Sequence, residues 1–96
     1  MIVHIVMLKF KEENKQANLI KIKNLLEALP SQIEPLLSME VGLDFMHSER
    51  SFDLVLTATF EIKEGLSKYA THPKHVAVVN IIKEVTEGSK VVDYTK

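Results

Sequence analysis

Residues 2–10 read Ile2-Val3-His4-Ile5-Val6-Met7-Leu8-Lys9-Phe10, and their alternation constrains how the rest of the chain is arranged. Side chains alternate faces along an extended strand. His4, Val6, Leu8 and Phe10 therefore share one side, and Val3, Ile5, Met7 and Lys9 share the other. A strand with one wet face shows a polar residue at every second position. Here both sides are largely apolar, which marks a central strand covered twice.

Working outward, residues 14–29 carry Leu19, Ile22, Leu26 and Leu29 at helical spacing. Asn14 is placed to cap this helix and Pro30 to close it. A second strand alternates Met39, Val41, Leu43 and Phe45 with Glu40, Gly42 and Asp44. The polar run 47–51, with a solvated His47, reads as a turn. A third strand sets Phe52, Leu54, Leu56, Ala58 and Phe60 against Asp53, Val55, Thr57 and Thr59. A short helix over about 63–71 ends at His72, because a residue before proline is pushed out of the helical region. Pro73 suits the first turn of a new helix, where its missing N–H is no loss. That helix is expected to run to about Glu87, burying Val78, Ile81, Ile82 and Val85, with Gly88 as its stop. Lys90 to Thr95 form the last strand.

The order β-α-β-β-α-β predicts an α+β, ferredoxin-like single domain over residues 1–96. Its four-stranded antiparallel sheet carries helices on one face. Pairing the first strand with the third and the fourth centres it, as its two apolar sides require. The helices are assigned to the side of His4, Val6, Leu8 and Phe10. The other side keeps Val3, Ile5, Met7, Val55, Val92 and Tyr94, too much apolar surface for a small monomer to leave in water. Burying such side chains is worth roughly 1.5–3 kcal/mol each before entropic costs. A homodimer with the two sheets face to face is the expected remedy.

With 96 residues, the chain makes one domain near the small end of self-sufficient cores. A net charge of −1 argues against a nucleic-acid footprint, which needs a basic stripe. The absence of cysteine excludes disulfides, thiolate metal sites and a thiol nucleophile. No apolar run approaches the ~20 residues of a membrane span, so no membrane partner and a cytoplasmic location are expected. Gly42, Gly65 and Gly88 are isolated, so no phosphate loop forms, and no serine sits in a nucleophile elbow.

Chemistry concentrates at Tyr69-Ala70-Thr71-His72-Pro73-Lys74-His75, which holds two of the four histidines. This joint, the opening Val3-His4-Ile5-Val6-Met7-Leu8-Lys9-Phe10-Lys11 and the closing Val91-Val92-Asp93-Tyr94 resemble the stress-responsive dimeric α/β-barrel (Dabb) family over nearly the whole chain. The resemblance implies a ferredoxin-like subunit, two of which close into a barrel, each with a cavity for a small apolar ligand. Val6, Leu8, Leu19, Ile22, Leu56, His72 and Val79 are expected to line it. In a plant polyketide cyclase of the family, the catalytic tyrosine and histidine stand at positions matching Tyr69 and His75. A histidine matching His4 lines the cavity there.

The residues permit related chemistry without a cofactor. His75, near a helix N-terminus, is held neutral by the helix dipole and can take a proton from carbon beside a carbonyl. Tyr69 can donate to the resulting enolate oxygen, and His4 points at the same layer. Cyclase, isomerase and lyase reactions fit this set, and fold analogy alone adds a cofactor-free monooxygenase. A non-catalytic alternative stands beside these: His75 bonded to a backbone carbonyl, Tyr69 a core aromatic, His72 a helix terminator and His4 a satisfied core histidine. The first helix turns only Leu19, Ile22 and Leu26 inward. Without an aromatic there, a planar polyketide has nothing to stack on. The proline breaks the register that would align the histidines on a metal, and none is expected.

Overall fold

β1 (Ile2–Phe10) lies inside a four-stranded antiparallel sheet of order β2-β3-β1-β4 in the computed structural model, which describes residues 1–96. β2 is Ser38–Leu43, β3 Leu54–Phe60 and β4 Thr86–Thr95. The helices are α1 (Lys15–Glu27), α2 (Lys63–Thr71) and α3 (Pro73–Val85). One turn of 3-10 helix at Leu29–Ser31 follows α1 and contains Pro30. This is the expected α+β ferredoxin-like arrangement, with β1 and β3 in the centre.

The register fixes which side chains share a face. Val6 lies opposite Leu56 on β3 and Val91 on β4, while Ile5 lies opposite Thr57 and Val92. Ile2, Leu8, Phe10, Leu54, Leu56, Ala58 and Phe60 turn to the helices and join Leu19, Ile22, Leu26, Leu29 and Val78 in one core. That is the side to which the sequence assigned the helices. On the outer side Val3 is only 3% exposed in the single chain, between Thr59 and Tyr94 on the neighbouring strands. Less apolar surface is therefore left open than the residue types alone imply. Met7, Val55, Val92 and Tyr94 nevertheless remain exposed.

Three local expectations change. Asn14 precedes α1 in a left-handed conformation (φ 53°), and its side chain makes no capping bond. Its amide instead leaves the cap role to backbone geometry, which asparagine tolerates in this region. α3 stops at Val85 rather than near Glu87, and Gly88 already pairs with Lys9 inside β4. The helix ends early because its last carbonyls find donors elsewhere. Lys11 N–H donates to Val85 O at 2.9 Å, Lys11 Nζ to Glu84 O at 3.2 Å and Thr86 Oγ1 to Ile82 O at 2.9 Å. Finally, Asp53 is buried at the entry to β3, not on an open face. Its carboxylate accepts the Phe10 N–H at 2.7 Å and lies 3.4 Å from Lys15 Nζ, tying β1 to the start of α1.

No helix is long and apolar enough to cross a membrane.

Candidate functional site

The break between α2 and α3 places the site. His72 leaves the helical region (φ −66°, ψ 134°), as a residue before proline must. Its Nδ1 accepts the Lys74 N–H at 3.1 Å, so His72 caps α3 with its ring. The turn brings Tyr69, at the end of α2, against His75 in the first turn of α3. Their ring centroids are 4.1 Å apart. Phe60 supports the phenol from β3 at 5.2 Å, and His4 meets it edge-on from β1 at 6.2 Å.

Each group is held differently. His75 Nδ1 lies 3.1 Å from the Ala70 carbonyl, which can only accept. The ring nitrogen there carries the proton, and in the neutral ring Nε2 keeps its lone pair. Burial pushes the His75 pKa below its usual value; the Ala70 bond opposes this, and nearby His4 and His72 add to it. His75 is thus held in its neutral, singly protonated form. Tyr69 is buried, and burial raises its phenol to about 12. Its hydroxyl is bonded to no protein group, yet no side-chain polar atom is both sealed from solvent and unpartnered. The hydroxyl therefore opens onto the adjoining space. His4 Nδ1 is paired with Asp93 Oδ1, from the residue directly opposite on β4.

These groups border a cavity of about 330 Å³ between α3 and the β1–β4 half of the sheet. Val6, Leu8, Leu56 and Val79 line it as expected, together with His4, Tyr69 and His75. Leu19, Ile22 and His72 do not. The two α1 residues are packed solid in the core, at 4% and 0% exposure, and the His72 ring is used as a cap. Leu26 is the α1 residue that reaches the cavity, and Ile82, Lys83, Thr86, Ser89 and Val91 complete it. The sequence signal for these last residues was available. A stripe of α3 continues from His75 through Val79 to Lys83, and β4 follows that helix without a loop. Asp93 was also legible, since pairing the two terminal strands end to end sets it beside His4. A larger hollow of about 420 Å³ under the β2–β3 hairpin, bordered by Met7, Phe45 and Arg50, carries none of the histidines.

Chemically, the arrangement offers a neutral imidazole, a protonated phenol and a carboxylate-oriented imidazole around an apolar space. No cluster of three or more metal-ligating side chains is formed.

The profile of the stress responsive A/B barrel domain family matches residues 2–96. A stress-response A/B barrel domain-containing protein of Arabidopsis thaliana is 37% identical over 76 residues, 76% of this chain. The chain spans 66% of that relative's length, and 30% of a second such protein from the same plant. A dimeric protein of unknown function and ferredoxin-like fold from Bacteroides fragilis superposes with a TM-score of 0.87 at 34% identity, over 97% of this chain and 93% of that one. The hydroxynitrile lyase of Passiflora edulis shares the fold with a TM-score of 0.85 at 16% identity, over 97% and 90% of the two chains.

Proposed function

The chain belongs to the stress-responsive A/B barrel domain family, and from that footing we propose that it works as a homodimer whose subunits each bind a small, largely apolar carbonyl compound and move a proton on it. Dimerisation is supported by the outer face of the sheet, where Val92 and Tyr94 stand 58% and 45% exposed beside Met7 and Val55. The Bacteroides fragilis relative is itself dimeric. A cytoplasmic setting fits a chain without cysteine.

The observation that carries the catalytic reading is the free Tyr69 hydroxyl beside a neutral His75 at the wall of one apolar cavity. A carbonyl oxygen placed at Tyr69 accepts its hydrogen bond. His75 Nε2 then takes a proton from the adjacent carbon, and the C–H electron pair becomes the C=C bond of an enolate. The oxygen gains the negative charge, which Tyr69 stabilises more strongly than it does the carbonyl. Return of the proton, or attack of the enolate on a second carbonyl, completes an isomerase- or cyclase-type cycle. His4, oriented by Asp93, is the second proton carrier. The lyase of the same fold shows that this scaffold can host lyase chemistry, without assigning that chemistry to this chain.

One contact favours a second reading. The His75 bond to Ala70 crosses the helix break, so His75 also serves as a clamp in a non-catalytic ligand-binding protein. Hydrogen–deuterium exchange at the methylene of hexane-2,4-dione, followed by NMR in deuterated buffer, separates the two. A proton-transfer protein accelerates the exchange, and His75→Gln abolishes the acceleration while the fold persists. Exchange at the buffer rate with wild-type protein leaves only the clamp.

A further inference from the structure

We propose that the ligand of this cavity is an acid: a medium-length oxo carboxylate whose carboxylate sits at Lys83 and whose carbonyl reaches Tyr69 and His75. The inference rests on the cavity reading above and names the class of molecule that fills it.

The two ends of the cavity differ in charge. At one end stand His4, Tyr69 and His75, with the Asp93 carboxylate behind His4. At the other stand Lys83, Thr86 and Ser89. Lys83 is the only lining residue with a permanent charge, and no carboxylate lies within ion-pair distance of it. The other lining residues between the ends are aliphatic: Val6, Leu8, Leu26, Leu56, Val79, Ile82 and Val91. An unneutralised ammonium at the rim of an apolar space attracts an anion with an apolar body, and Asp93 repels that anion from the far end.

The fold sets the spacing between the two ends. β1 and α3 run in the same direction, so His4 lies near His75 and Leu8 near Lys83. From His75 to Lys83 is eight residues of α3, or about 12 Å at the helical rise. His4 to Leu8 is four residues of β1, roughly 13 Å. An oxo acid with about five or six carbons between its two polar groups spans that distance. A single lysine with the Ser89 hydroxyl beside it suits a monoanion, since Thr86 Oγ1 already donates to Ile82 O. A phosphate dianion is better served by arginine forks or a helix N-terminus, and the N-terminus of α3 is at the opposite end.

The test is calorimetric titration of the whole chain with three probes of matched length: 7-oxooctanoate, its methyl ester and octan-2-one. The oxo acid is expected to bind at least ten-fold more tightly than either neutral probe. In Lys83→Met that advantage should fall below two-fold, and Lys83→Arg should restore most of it. Raising the salt concentration should narrow it as well. Equal binding of all three probes to the wild type overturns the acid assignment and leaves the cavity reading standing. So does an advantage that survives Lys83→Met. Hexyl phosphate binding more tightly than the oxo acid overturns the choice of a carboxylate. Failure of every probe to bind overturns both inferences.

Discussion

The two halves of the helical layer are built to different ends. Under α1 the layer is solid: Ile22, Leu29 and Leu54 are all at most 2% exposed. Of the α3 side chains only Val78 is buried, and the space between helix and sheet is a cavity bordered by the imidazoles and the phenol. The difference follows from side-chain choice. α1 presents leucine and isoleucine to β2 and β3. α3 presents His75, Val79 and Lys83 to the β1–β4 side, where β4 offers Thr86, Ser89, Val91 and Asp93. Stability resides in one half, which leaves the other free to keep an opening and groups with perturbed proton affinities.

Truncation must therefore hurt the two halves unequally. Ile22→Ala, in the solid half, should cost about 2–5 kcal/mol and lower Tm by roughly 10 °C or more. Val79→Ala, beside the cavity, should cost only about 1 kcal/mol, because few atoms lose a packing partner. Equal losses in thermal melts would remove the distinction.

A smaller effect is expected where the halves are tied together. Asp53→Ala leaves the Phe10 N–H without its acceptor and frees Lys15. Loss of that buried bond should cost about 1–3 kcal/mol in urea unfolding.

The hollow half should also carry its own pH dependence. The folded protein holds the His75 pKa below its unfolded value of about 6.5. The unfolded chain therefore binds the extra proton first as pH falls. The stability associated with neutral His75 is full above the unfolded pKa and is lost as pH drops through the folded one. His75→Gln should lose less stability than the wild type between about pH 7 and pH 5. Parallel curves for the two proteins would show that His75 is not held neutral.

The least change is expected at Tyr69. Its hydroxyl has no protein partner, so Tyr69→Phe should alter stability by no more than about 0.5 kcal/mol. In a Tyr94→Phe background, its phenolate absorbance should rise only near pH 12. A marked loss of stability in Tyr69→Phe would reveal a structural bond and remove the candidate donor from the mechanism.

Much of this was legible along the chain. Two apolar sides placed β1 in the centre, Pro73 located the helix break to the residue, and the spacing around it brought Tyr69 and His75 into one joint. What was misplaced depended on partners distant in sequence. Gly88 looked like a helix stop, but the carbonyls of α3 are met by Lys11 and Thr86, and pairing with β1 claims Gly88 first. Leu19, Ile22 and Leu26 share a helical stripe, and periodicity could not tell which of them faces packed side chains and which faces a void. Asp93 meets His4 only through the β1–β4 register, which brings together residues from opposite ends of the chain.

The sequence by itself determined the elements, their order and the two-sided character of the central strand, because alternation and helical spacing are local properties of the backbone. Tertiary structure alone decided where the layer is filled and where it is open. Volume left between a helix and a sheet depends on every side chain that meets there, and those residues come from β1, α1, β3, α2, α3 and β4 together.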